Sequence, residues 1–135
     1  MRQVRSKPKA STLDDAVLAA IVILAERRRE GKNITYGALG TLIGRHHRTL
    51  TPILNRVGAW CYSIGKGPLA MLVVSKSDGL PGWGFFERGP GERNPITRKS
   101  YPSRRRKLCA EDWSRVKIPP SAHEVAQAFE RYGRD

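Results

Sequence analysis

Between Asn33 and Val57 the chain reads Asn-Ile-Thr-Tyr-Gly-Ala-Leu-Gly-Thr-Leu-Ile-Gly-Arg-His-His-Arg-Thr-Leu-Thr-Pro-Ile-Leu-Asn-Arg-Val, and the spacing of its apolar residues leaves few folds open. Ala38, Leu39, Leu42 and Ile43 give one buried face to a helix from Tyr36 to Ile43, with Thr35 as N-cap and Gly44 as stop. Leu50, Ile53, Leu54 and Val57 fall at i, i+3, i+4 and i+7, which predicts a second helix from about Arg48 or Thr49 to Trp60. Pro52 is tolerated only in its first turn. Two short helices joined by a tight basic turn are therefore expected. With the apolar face committed to the core, Arg45, His46, His47, Arg48, Thr49, Thr51, Asn55 and Arg56 are left on or before the exposed one. In a helix-turn-helix, residues at the start of the second helix meet base edges while the preceding helix crosses the backbone.

The charge balance points the same way. Lys and Arg total 25 against 12 Asp and Glu, a formal net charge of +13 in 135 residues, and such a surface concentrates polyanions around itself. Nucleic acid, above all duplex DNA, is the expected partner. An anionic membrane competes for that role, but no stretch approaches the roughly 20 apolar residues that span a bilayer, so no membrane partner is expected. The length suits one compact domain. Cys61 and Cys109 lie far apart, and the basic first residues lead into Thr12-Leu-Asp-Asp without a small-residue cleavage site. A structural disulfide is not expected and the cytoplasm is, with association to the nucleoid if the source is bacterial. His46, His47 and His123 form no close ligand pair with either cysteine, so neither a metal site nor a cofactor is expected.

The expected fold is mainly α with a small β-hairpin: a winged helix-turn-helix with a basic loop and a C-terminal helix. Residues 1–11 carry Arg2, Arg5, Lys7 and Lys9 with no acid and read as a flexible basic arm, either solvated or lying along a phosphate backbone or in a minor groove. Residues 12–86 form the winged helix-turn-helix domain. Its first helix begins near Leu13, with Thr12 capping toward Asp15, and ends in Arg27-Arg-Arg29 before Gly31; the three arginines complement the helix dipole on a solvated face. Leu69 to Val74 and a short segment near Trp83 to Phe86 are the expected hairpin strands, turned by Ser77-Asp78-Gly79 with Lys76 near the tip. Residues 87–109 read as a long basic loop that binds phosphates, within which Tyr101 is placed to stack on a base. Residues 110–135 supply a short helix from Ala110 to Val116, with Trp113 inward, and a last helix from Ser121 that docks on the core.

With these residues in view, Ile34-Thr-Tyr-Gly-Ala-Leu-Gly-Thr-Leu-Ile-Gly44 resembles the opening of the DNA-binding domain in alkylguanine-DNA alkyltransferases and the alkyltransferase-like proteins. Arg48-Thr-Leu-Thr-Pro-Ile-Leu54 stands where that family carries its recognition helix, and Val73-Val-Ser-Lys-Ser-Asp-Gly79 is similar to its wing, with an extra residue. The resemblance spans roughly residues 31 to 84. It implies that Arg48 enters the duplex and that Tyr36 helps turn a nucleotide out of the stack. The family's reactive Pro-Cys-His-Arg is replaced here by Leu69-Ala-Met-Leu72, and Cys61 lies too early to substitute. Alkyl transfer needs a thiolate held by a histidine, so none is expected.

The function expected from the residues is a non-enzymatic hold on duplex DNA. The candidate contacts are Thr35, Tyr36, Arg45, His46, His47, Arg48, Thr49, Thr51, Asn55, Arg56, Lys76, Arg98, Lys99, Arg104, Arg105, Arg106 and Lys107. Two other readings remain open at this point. The first is an enzyme acting on nucleic acid, although the acids form no recognisable nuclease motif and Glu111-Asp112 is most easily read as the start of a helix. The second is a binder or inhibitor of RNA or of a ribonucleoprotein, which charge alone does not separate from a DNA binder. No catalytic residue is assigned, and the sequence does not fix an oligomeric state.

Overall fold

The computed structural model describes residues 12–82, 85–86 and 96–133; the basic arm 1–11 and the part 87–95 of the expected basic loop lie outside them. Helix α1 (Leu13–Glu30) starts as its sequence dictates. Thr12 Oγ1 accepts the Asp15 N–H at 3.0 Å, and Gly31 closes the helix in the left-handed conformation. Strand β1 (Ile34–Thr35) leads directly into helix α2 (Tyr36–Ile43), and a 3-10 turn at His47–Thr49 leads into helix α3 (Leu50–Ser63). Pro52 sits in the first turn of α3, where its missing N–H costs nothing. Leu50, Ile53 and Val57 of α3 join Ala20, Ile21 and Leu24 of α1 and Leu39 of α2 in the core, each at most 1% exposed. Burying a side chain of the Leu or Ile type contributes about 1.5–3 kcal/mol, so α1, α2 and α3 are fixed to one another by a shared apolar centre.

The chain beyond α3 departs from expectation in three places. First, there is no wing hairpin among the described residues. Leu69–Leu72 is a 3-10 turn, and only Val73–Val74 is extended, as strand β2. It pairs in parallel with β1, Ile34 opposite Val73 and Thr35 opposite Val74. Both valines are buried, and a short run without polar alternation is the pattern of a strand covered on both faces, which suits parallel pairing. Ser77-Asp78-Gly79 does form a turn, closed by Ser75 N–H to Leu80 O at 2.8 Å and by Leu80 N–H to Asp78 Oδ1 at 3.0 Å. Phe85 and Phe86, expected in the returning strand, are helical.

Second, the expected basic loop contains helix α4 (Tyr101–Ala110), with Pro102 in its first turn. Arg104, Arg105, Arg106 and Lys107 are therefore helical residues. Tyr101 and Leu108, seven residues apart and so on one side of the helix, are the two buried positions and pin α4 to the core. Tyr101 is 5% exposed and donates its hydroxyl to Met71 O at 2.8 Å, so it is not placed to stack on a base. Burial raises its pKa, in keeping with a phenol held as a neutral donor.

Third, Ala110 ends α4, and residues 111–116 form turns instead of a helix. Glu111 is not a helix-start residue: its carboxylate accepts the Gly67 N–H, at 3.1 Å to each oxygen, and the Trp113 Nε1–H at 3.0 Å. Asp112 Oδ1 accepts the Ser114 N–H at 2.9 Å, and the Ser114 hydroxyl, with this N–H second, holds its carboxyl below the usual carboxylate range. Side chains that take up nearby backbone donors draw the chain out of a helix. Trp113 packs inward as expected, edge-on to Trp60. Helix α5 (Ala122–Tyr132) opens on a reciprocal capping box between Ser121 and Glu124 and lies along α3. Among the described residues no helix is long and apolar enough to cross a membrane.

Candidate nucleic-acid interface

The turn between α2 and α3 is held by its own backbone. Gly44 has φ 73°, the left-handed conformation that favours glycine, and its N–H and that of Arg45 return to the carbonyls of Thr41 and Gly40. Gly40 admits the turn: a Cβ there would lie 2.4 Å from the Arg45 carbonyl oxygen. Beyond it, His46 caps the 3-10 turn. Its Nδ1 accepts the Arg48 N–H at 3.1 Å, while Thr49 donates its hydroxyl to His46 O at 2.7 Å. The His46 and His47 rings stack with centroids 4.4 Å apart. The result is a rigid knuckle on which His46, His47, Arg48, Thr49 and Thr51 are exposed and Arg45 is half-exposed. Ala38 and Leu42, expected on the buried face of α2, are exposed, Leu42 at 55%, and the buried positions are Leu39, Gly40 and Ile43.

The sequence that carries this knuckle is one-signed. From Gly31 to Ser77 the chain contains no Asp or Glu, and from Arg93 to Ala110 it contains none either. That exclusion of acids from both stretches is a signal that residue-by-residue reading overlooks. It matters because acids among the cations would neutralise the field that attracts a polyanion.

The other candidate residues divide into several groups. Lys76 is exposed on the turn after β2. That turn abuts the start of α2, since the Gly82 N–H donates to the Tyr36 hydroxyl at 2.8 Å. Lys76 and the Arg48 knuckle thus flank opposite ends of a helix that spans roughly 12 Å at its ordinary rise. Tyr36 is engaged by that bond and burial raises its pKa; in this arrangement it is a brace and not an open side chain. Thr35 is engaged too, its Oγ1 accepting the Ala38 N–H at 3.1 Å. Asn55 is half-buried. Arg56 turns back to Pro52 O at 2.9 Å and lies 4.0 Å over the Phe129 ring, fastening α3 to α5.

On and before α4 the same division recurs. Lys99, Arg106 and Lys107 are exposed, Arg98 is exposed with its guanidinium 5.0 Å over the Phe86 ring, and Arg104 is half-buried. Arg105 is structural: its Nε donates to Asn33 Oδ1 at 2.8 Å and its Nη2 to Gly31 O at 2.9 Å. Arg27 holds the same loop from the other side through Asn33 O at 3.1 Å. Arg28, expected on a solvated face, instead donates to the carbonyls of Leu108, Cys109 and Glu111 at 3.0–3.2 Å and stacks 5.2 Å from Trp113. It closes the C-terminus of α4, where a cation also complements the helix dipole.

Cys61 is fully buried and its thiol is pushed up to about 12 by loss of solvent, the opposite of the depressed value a nucleophilic thiol requires. Among the described residues no group of three or more His, Cys, Asp or Glu is arranged to hold a metal ion. Compared with protein-family models, with curated proteins and with solved structures, the chain matches none.

Proposed function

We propose that this chain binds duplex DNA without catalysing a reaction on it, presenting the start of α3 to a groove and the cations around it to the phosphates. The observation that carries this reading is the knuckle itself: His46, His47, Arg48, Thr49 and Thr51 are all exposed at the start of one helix whose apolar side is buried, inside a stretch free of acids. Arg48 and Thr51 are suited to base edges, and Lys76, Lys99, Arg106 and Lys107 to phosphates, which position a protein without reading sequence. On this reading α2 and α3 act as a helix-turn-helix, and the compact turn around Lys76 takes the place of a wing hairpin. The likeness to alkyltransferase-like proteins fits the α2–α3 part, with Tyr36 needing to leave Gly82 before it can act on a nucleotide. The buried, proton-retaining Cys61 supports a role without alkyl transfer.

The test is a titration of labelled duplex DNA at several salt concentrations. With about six to ten phosphates neutralised, affinity falls by roughly three to five decades between 50 and 200 mM salt. An affinity that barely responds to salt removes the proposal. Unlabelled RNA duplex of equal length, added as competitor, separates the alternative: preferential displacement by RNA assigns the surface to A-form geometry instead.

A further inference from the structure

His46 is the residue of the knuckle whose hydrogen-bonding state the backbone decides. A neutral imidazole carries one N–H donor and one bare acceptor nitrogen, and the bond made by either nitrogen fixes the role of the other. Here Nδ1 accepts the Arg48 N–H at 3.1 Å, so Nδ1 is bare and the proton sits on Nε2. The two nitrogens face opposite sides of the five-membered ring. With Nδ1 turned in to the chain, the Nε2–H is directed away from it, on a residue that is exposed. One face of the ring is covered by His47, with centroids 4.4 Å apart and planes 28° from parallel. The His46 carbonyl is fastened as well, accepting the Thr49 hydroxyl at 2.7 Å and the Thr49 N–H at 2.9 Å. A side chain whose orientation and tautomer are set beforehand loses little freedom when it binds.

The chemistry left to that nitrogen is narrow. The Nε2–H donates and does not accept, and the Arg48 guanidinium has donors only. In the major groove cytosine presents a donor, adenine an acceptor beside a donor, thymine an acceptor beside a methyl group, and guanine two acceptors, N7 and O6, side by side. Guanine is thus the base whose edge two neighbouring donors satisfy completely. We propose that His46 is a specificity-determining residue, donating from Nε2 to the N7 of a guanine in the major groove while Arg48 takes the adjacent O6. This inference rests on the reading of the α2–α3 turn as a duplex-binding element. An imidazole bound in this way is neutral, so it contributes choice between bases and not attraction to phosphates. His47, by its stacking, and the Arg48 N–H, by its bond to Nδ1, are what aim the donor.

Two measurements on the full chain test it. At about pH 8, where an imidazole is ordinarily neutral, nitrogen NMR of the free protein reads the tautomer, and His46 shows its proton on Nε2 with Nδ1 bare. A proton on Nδ1 overturns the proposal whatever the chain binds. The second measurement takes the duplex that the protein holds tightest from a random-sequence pool and remakes it with 7-deazaguanine at one guanine at a time. That base has C–H in place of N7 and keeps O6 and the base pair. At one guanine the unsubstituted protein loses about fivefold or more in affinity, as for a donor left without its acceptor. His46→Asn keeps a side-chain oxygen able to accept the Arg48 N–H. It binds the natural duplex more weakly by a similar factor and is indifferent to that 7-deazaguanine. The coupling between the two changes decides, since it cancels any effect the substitution has on the turn. Losses that are equal in both proteins, or absent at every guanine, overturn the assignment. Coupling to 7-deazaadenine instead overturns the choice of base. A chain that binds no duplex with salt-dependent affinity fails at the underlying reading and takes this inference with it, whereas duplex binding without the coupling sinks this inference alone.

Discussion

The molecule carries two arginine-rich regions that look alike in sequence and differ in what their charges are for. Around the α2–α3 turn, Arg48 and its neighbours His46, His47 and Thr51 are exposed, and the turn is held by local bonds, from its backbone and from the His46 and Thr49 side chains. Around α4, Arg105 binds the loop before β1, Arg28 reaches across from α1 to close the helix, and Tyr101 anchors it from beneath. An arginine donating to several backbone carbonyls serves the fold, because a planar donor fork satisfies groups that a helix end leaves open. The lesson is that net charge counts cations without saying which of them remain to meet a partner. Here the partition is decided by whether carbonyls without partners lie within reach.

That contrast is open to direct attack, and the strongest blow falls on the structural side. Arg28→Ala removes three charge-assisted hydrogen bonds and the contact with Trp113, and the stability loss expected is about 3 kcal/mol. Urea unfolding measures it, and duplex affinity of the still-folded fraction stays as before. A stable variant with weakened DNA binding would reverse the assignment of this residue. Next in size is Gly40→Ala. The added methyl meets the Arg45 carbonyl at 2.4 Å, and since that neighbour is backbone the turn must move; about 2 kcal/mol is expected, in the range of overpacked sites. Because the turn carries the knuckle, duplex binding should fall along with stability, which distinguishes Gly40 from Arg28. Unchanged affinity in a folded Gly40→Ala protein would show that the shape of the turn does not matter to binding.

The α2–α3 half was legible from sequence because each of its features has a local cause. Thr35 and Gly44 bound α2, as their capping chemistry predicts, and of the i, i+3, i+4, i+7 set Leu50, Ile53 and Val57 are buried while Leu54 is half-buried. The rest was hidden for two physical reasons. Helix α4 buries only Tyr101 and Leu108 among ten residues, too few to leave a periodic trace in so basic a stretch. The signal present was Pro102 just after Ser100, which suits a helix start. Val73 and Val74 read as half of a hairpin because a short apolar run does not name its partner. The partner is Ile34–Thr35, nearly forty residues earlier, and only assembly of the core brings the two together. The candidate site shared this fate. The exposure of His46 to Thr49 and of Thr51 follows from one local turn, whereas the commitments of Tyr36, Arg56 and Arg105 depend on Gly82, Phe129 and Asn33, residues that no local pattern links to them.

On the exposed side the expected effects are smaller and, on the proposed function, fall on binding. Arg48→Ala leaves a solvated surface, so stability should move by less than about 0.5 kcal/mol. Duplex affinity is expected to fall by about 1–3 kcal/mol, with any preference among sequences relaxed, as for loss of a contact to a base edge. Competition between unrelated duplexes reads both consequences. A uniform loss across all sequences would place Arg48 on a phosphate and shift the reading of sequence to Thr51 or the histidines.

The finest distinction concerns Arg106, exposed on α4 one residue from the committed Arg105. If α4 contributes its outer cations to the DNA backbone, Arg106→Ala reduces the slope of log affinity against log salt by about one, with a weakening that is the same for every sequence and no change in stability. Arg105→Ala is the paired control, because its side chain holds Asn33 and Gly31 and its loss should appear in unfolding and not in the salt slope. The two substitutions remove the same charge from adjacent positions, so long-range attraction changes almost equally in both. Only contact with a phosphate makes the slope respond to one and not the other. Equal slopes for Arg106→Ala and the unsubstituted protein would confine the DNA-binding surface to the α2–α3 knuckle and the Lys76 turn, and leave α4 as scaffold along its whole length.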